Sequence, residues 1–181
     1  MAERACHVVG STTQVGLTQA LGTGMELSRS FEIFADYFQF VLMDESSEDD
    51  FAAIWSDEAL GRMFAAGRSA VCPGTLRNVT VPVELYVGPS EPALCLDKYD
   101  HAIAASLDIP SGCLVVMGCT DYLPEAPRIE LPAGTYQLLY LVSGVASITH
   151  ESDPADDRYI VHLWPGPPRE PILLKHWRPS A

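Results

Sequence analysis

Between Val79 and Val87 the chain alternates with period two: Val79, Val81, Val83, Leu85 and Val87 against Thr80, Pro82, Glu84 and Tyr86. Successive strand side chains point to opposite faces, so this pattern predicts a strand with one side in a core. Pro82 cannot donate to a ladder, which places that strand at an edge or at a bulge. The alternation returns at Ile103, Ala105, Leu107 and Ile109, and Pro110-Ser111-Gly112 turns the chain into Cys113–Gly118. Arg128–Leu131 and Thr135–Val142, around Pro132-Ala133-Gly134, read as a hairpin. Arg158–Trp164 and Ile172–Trp177 are two further strands. Phe31–Met43, dense in aromatic and β-branched residues, reads as one long strand or as two broken near Ala35-Asp36.

One helix interrupts this series. Ser56 can cap it, Asp57 and Glu58 suit its positively polarised first turn, and Gly67 can end it. Leu60, Met63 and Phe64 fall at i, i+3 and i+4 and predict its apolar face. A parallel sheet needs crossover helices, and one helix is too few. The expected fold is therefore mostly β: an antiparallel two-layer β-sandwich over residues 29–181 with one short helix at about 57–66. A loosely ordered arm, residues 1–28 and rich in Gly, Thr, Ser and Gln, precedes it.

Charge narrows the function classes. The chain carries 24 Asp and Glu against 11 Lys and Arg, a formal net charge of -13. Counterion release at phosphates requires basic side chains, so nucleic acid and anionic membranes are disfavoured partners and a basic protein is favoured. The amino terminus lacks the long apolar run of a signal peptide, and no stretch reaches the length of a membrane span. The five cysteines (Cys6, Cys72, Cys95, Cys113 and Cys119) are odd in number with no paired spacing, which reads as free thiols in a reducing, cytoplasmic setting. Only 19% of residues are charged, so some apolar surface is expected to face a partner or a second copy in a homodimer.

The common catalytic signatures are missing: no Gly-x-Ser-x-Gly elbow, no phosphate-binding glycine loop, no Cys-x-x-Cys. His150-Glu151 has no second histidine at the zinc-protease spacing. Asp97, Lys98, Tyr99, Asp100 and His101 could serve acid–base or metal chemistry, but His101 is in phase with Ile103 and Ala105, and a polar turn opening a strand explains the group. The expectation is a protein without catalytic residues, cofactor or metal. The alternative is a small-ligand or divalent-cation module using Asp97, Asp100, Asp153, Asp156 and Asp157.

Between Ser30 and Gly61 stand nine acids (Glu32, Asp36, Asp44, Glu45, Glu48, Asp49, Asp50, Asp57 and Glu58) and no Lys or Arg. A second acid-only stretch holds Glu151, Asp153, Asp156 and Asp157. Uncompensated carboxylates repel one another, and either solubility or a complementary cationic surface would account for them.

Three blocks resemble the bacterial competence protein J family, inhibitors of the DNA-entry nuclease. They are Tyr37-Phe38-Gln39-Phe40, Trp55-Ser56-Asp57-Glu58-Ala59 followed by Phe64-Ala65, and Leu131-Pro132-Ala133-Gly134-Thr135-Tyr136-Gln137-Leu138. The resemblance spans about Asp36 to Val142. It implies a small, non-enzymatic β protein that silences a basic nuclease, such as an immunity protein paired with a toxin. With the charge run it selects Asp57 and Glu58 as partner contacts, with Trp55 beside them. Asp44, Glu45, Glu48, Asp49 and Asp50 would form an adjoining mobile acidic loop.

Overall fold

The computed structural model describes residues 26–178. Most of the expected arm lies outside them; the first strand, β1, begins at Leu27 and runs to Phe34. Among the described residues, eleven strands form two stacked sheets. The larger has the order β1-β5-β10-β9-β6-β11, where β5 is Thr80–Val87, β6 His101–Ile109, β9 Gly134–Ser143, β10 Arg158–Pro165 and β11 Ile172–Lys175. The smaller has the order β3-β4-β2-β7-β8, where β2 is Phe40–Asp44, β3 Phe64–Ala66, β4 Ala70–Pro73, β7 Cys113–Gly118 and β8 Arg128–Glu130. The sandwich expected from the alternation is the fold observed, with one parallel pair, β5 against β10, among antiparallel neighbours.

The inner faces interdigitate through Val83, Leu85, Ile103, Leu107, Leu138, Tyr140 and Tyr159 from one sheet and Phe40, Leu42, Val71, Leu114 and Val116 from the other. Tyr140 sits centrally, with ring centroids 6.1 Å from Phe40, 6.0 Å from Phe64 and 6.4 Å from His101. Its hydroxyl donates to the Gly74 carbonyl at 2.6 Å, which meets the hydrogen-bonding need of a buried phenol. All five residues of β2 are buried. Its outer face, Val41 and Met43, lies under a second apolar cluster with Ala59, Ile54 and Trp55. Double-sided burial explains why Phe40–Met43 is a continuous apolar run while β5, half exposed on its outer side, alternates.

Five expectations are corrected. There are two short helices: α1, Phe51–Ile54, and α2, Asp57–Arg62. Ser56 caps α2 as expected, its hydroxyl accepting from Ala59 N–H at 3.2 Å. However, Met63 ends that helix in the left-handed conformation (φ 56°), and Phe64 opens β3 rather than extending an apolar helix face. Of the supposed face Leu60 is 61% exposed, and Ala59 is the helix residue that packs. Pro82 lies inside the larger sheet, because β5 pairs with both β1 and β10. Pairing with β10 begins only at Val83, so the missing N–H lies beyond that ladder. Arg128–Leu131 and Thr135–Val142 are not a hairpin: β8 pairs with β7 in one sheet and β9 with β6 and β10 in the other. The turn between them crosses layers. Finally, Cys72, Cys113 and Cys119 are the free thiols among the described residues; Cys95 is not one of them, and Cys6 lies outside the described residues.

Candidate functional site

The segment from Glu45 to Arg62 lies on the outer side of the smaller sheet, held there by Ile54, Trp55 and Ala59. It contains most of the acids singled out from the sequence, and burial divides them sharply. Asp44 is fully buried at the end of β2 and is removed from any docking surface. It accepts from Ser46 N–H (2.9 Å) and hydroxyl (2.5 Å) and from Ser111 N–H (2.9 Å) and hydroxyl (2.6 Å). Burial alone would raise its pKa, but these four donors together hold it below the ordinary aspartate value. Asp49 is likewise structural, accepting from Ser69 N–H at 2.7 Å and its hydroxyl at 3.2 Å. Asp44 and Asp49 thus pin the supposed mobile loop to the turns beside it. The sequence pattern could not separate them from their neighbours, because Ser111 and Ser69, which donate to them, lie far along the chain.

Glu45 is exposed but bridged to Arg128 at 2.6 Å, a hydrogen bond that lowers its pKa. Glu58 pairs with Arg62 one turn away at 3.2 Å. Asp50 caps α1, accepting from Ala52 N–H at 3.0 Å and Ala53 N–H at 3.3 Å. Glu48, Asp50 and Asp57 are exposed and in no salt bridge among the described residues. Trp55 is half-buried, and its indole N–H donates to the Gln39 side-chain carbonyl at 2.7 Å. That bond joins two of the three sequence blocks, Tyr37–Phe40 and Trp55–Ala59.

Beside this acidic segment is an apolar cleft of about 330 Å³ lined by Tyr37, Phe38, Gln39, Trp55, Leu60 and Met63. Tyr37 is 70% exposed and Phe38 47%. From the sequence they read as strand residues; they occupy instead the short turn, Asp36–Phe38, between β1 and β2. The break near Ala35-Asp36 was the available signal, but nothing in the residue pattern marks the two aromatics as exposed.

The second acidic stretch has a different character. Asp157 is fully buried and receives a two-pronged ion pair from Arg77, with Nη2 at 2.5 Å and Nε at 3.0 Å. Tyr159 donates its hydroxyl proton to the same carboxylate at 2.8 Å and accepts from Leu76 N–H at 3.0 Å. Glu151 accepts from Asn78 N–H at 3.0 Å, and Arg77 also donates to the Asp153 carbonyl at 2.9 Å. These contacts tie the turn after β4 to the start of β10.

His101, from the cluster at the start of β6, is buried between Arg62 and Trp177. Its Nε2–H donates to the Arg62 carbonyl at 3.0 Å, and its Nδ1 accepts from Trp177 N–H at 3.3 Å. Burial lowers its pKa to about 4, keeping the imidazole neutral. Asp100 accepts from Val145 N–H at 3.0 Å. The geometry makes this cluster a packed strand entry. Among the described residues no group of three or more His, Cys, Asp or Glu side chains is arranged to hold a metal ion. No helix among them is long and apolar enough to cross a membrane.

No family model matches the chain, and no curated protein matches it in sequence. The fold, however, is that of known structures. ComJ from Bacillus subtilis, described as an inhibitor of the DNA-degrading activity of NucA, superposes with a TM-score of 0.59 at 19% identity, covering 80% of this chain and 100% of ComJ. The product of crocagin biosynthetic gene J superposes with a TM-score of 0.52 at 20% identity, covering 80% of this chain and 99% of its own. The chain therefore has the ComJ-like fold, as the three sequence blocks led us to expect.

Proposed function

We propose that this protein is a non-enzymatic, cytoplasmic inhibitor of a nuclease, such as the immunity partner of a nuclease toxin, and that it docks on a basic groove of its target through the α1–α2 segment. The observation that carries the reading is the placement of Glu48, Asp50 and Asp57 on one exposed segment without cationic partners. A fold leaves carboxylates uncompensated at some cost in self-repulsion, and a cationic partner removes that cost on binding. The likeness to ComJ, whose described role is to inhibit NucA, supplies the class of partner. Nucleases that grip DNA phosphates present clustered Lys and Arg, and acids at the spacing of α1 and α2 can occupy such a groove in place of DNA.

Within the expected contact set, Asp57 and Glu48 are assigned as direct contacts, Asp50 as a contact that also caps α1, and Glu58 as one that exchanges Arg62 for a partner cation. Glu45 shares its charge with Arg128, Trp55 supports the surface from below, and Asp44 and Asp49 hold the segment in place. The test is inhibition of DNA cleavage by NucA and by the nuclease encoded nearest to this chain. Wild-type protein is expected to inhibit at least one of them stoichiometrically. Failure against both contradicts the reading.

A further inference from the structure

Three residues other than glycine have a left-handed backbone among those described: Tyr37 (φ 56°), Phe38 (φ 57°) and Met63 (φ 56°). All three line the same apolar cleft beside α2. For L-residues this conformation is disfavoured, and two consecutive aromatic residues in it are costlier than a glycine or asparagine would be. Strain of this kind persists where the surroundings enforce it. Here Phe38 N–H donates to the Ala35 carbonyl and Thr75 N–H to the Phe38 carbonyl, at 3.0 and 2.7 Å. At Met63, Gly74 N–H donates to the carbonyl at 2.9 Å, and a Cβ on Gly74 would stand 2.8 Å from that same oxygen.

What the strain delivers is exposure. Tyr37 and Phe38 are 70% and 47% exposed, so burial within this chain does not repay their unfavourable backbone, and the helical Leu60 beside them is 61% exposed. Strained backbone concentrates at ligand-contacting sites, and clustered exposed aromatics mark protein interfaces. Acids flank the patch, while Arg62, the residue before Met63, is taken up by Glu58. Asp36 precedes Tyr37, its carboxylate acts with that of Asp121 on the Cys119 thiol, and Asp57 lies three residues before Leu60 on α2.

We infer that the Tyr37–Phe38–Leu60 patch is the energetic anchor of the partner interface, taking an apolar side chain that a basic protein presents between Lys or Arg residues. This rests on the nuclease-inhibitor reading above. It divides the labour of the surface: the acids of α1 and α2 steer the encounter, and the apolar patch holds the complex. Rim charges act chiefly on association rate, whereas buried apolar anchors act on dissociation.

The experiment measures inhibition and binding kinetics with NucA and with the nuclease encoded nearest to this chain, using wild type, Tyr37→Ser, Leu60→Ser and Tyr37→Gly. Both serine variants are expected to dissociate about 30-fold faster, with the salt dependence of association unchanged. Tyr37→Gly is expected to raise Tm by a few degrees while losing the same affinity, since it relieves the backbone and removes the anchor. If wild type inhibits and the serine variants match it within about threefold, the patch is not the anchor and the inhibitor reading stands alone. Should Tyr37→Gly lower Tm, the turn is a structural device and the inference is overturned. If wild type inhibits neither nuclease, both readings fail together.

Discussion

The two acid-only stretches of this chain look alike as sequence and are fastened differently as structure. In residues 151–157 the central carboxylate, Asp157, is buried and met by Arg77, Tyr159 and a network that joins two turns. In residues 44–58 the segment is fastened by buried or half-buried acids, Asp44 and Asp49, while Glu48, Asp50 and Asp57 remain in solvent without a cation. Charge count alone therefore does not identify a docking surface. In the first stretch Arg77, distant in sequence, neutralises the buried Asp157 and leaves Glu151, Asp153 and Asp156 without a salt bridge among the described residues; in the second, Arg128 and Arg62 pair only with Glu45 and Glu58 at its ends.

The largest effect should come from breaking the compensated stretch. Arg77→Ala leaves Asp157 buried without its counter-ion and should cost about 3–5 kcal/mol in urea unfolding. A cost below about 1 kcal/mol would mean that the network is not what ties β10 to the preceding turns.

Next is the seat of the exposed stretch. His101 carries α2 through the Arg62 carbonyl and stays neutral, with its pKa lowered from 6.5 to about 4. The unfolded chain binds the proton first as pH falls, so this stabilisation is complete above pH 6.5 and is lost progressively on the way down to about pH 4. The loss amounts to about 3 kcal/mol, and the difference in unfolding free energy between wild type and His101→Gln should narrow over that window. An unchanged difference would show that His101 does not titrate between the two states.

A smaller effect belongs to the cap. Ser56→Ala removes the acceptor for Ala59 N–H and should cost about 1 kcal/mol, frayed helix included. The smallest change in stability is expected at the uncompensated acids themselves. Glu48→Gln with Asp57→Asn should shift unfolding by less than about 0.5 kcal/mol, because neither carboxylate is in a salt bridge. A large loss would reassign these two residues from the surface to the scaffold.

How much of this was legible beforehand follows the physics of each element. β5, which buries one face, and β6, whose outward Ala102 and Ala104 are buried as well, announced themselves by period two, and the layered fold followed. The cap at Ser56 and the start of α2 were also plain. The end of α2 was not, because Met63 terminates it in a conformation for which glycine is the usual signal. The β8–β9 turn carried ordinary hairpin residues, yet partner choice is decided by sheets that assemble from distant segments. At the site, the acidic run was visible but the roles within it were not. Asp44 and Glu45 are adjacent, and only the positions of Ser111 and Arg128 make one an internal tie and the other a surface pair. Tyr37, Phe38 and Leu60 escaped notice because apolar residues in a strand-like or helix-like register are normally core.

The central claim is that uncompensated acids on α1 and α2 meet a cationic nuclease. Its most direct test is the association rate with the inhibited nuclease as ionic strength rises, for wild type and for the paired Glu48→Gln, Asp57→Asn variant. The account predicts that the wild-type rate falls about tenfold or more between roughly 0.05 and 0.5 M salt, and that the variant starts slower and falls less steeply. Identical salt slopes for the two proteins would contradict it.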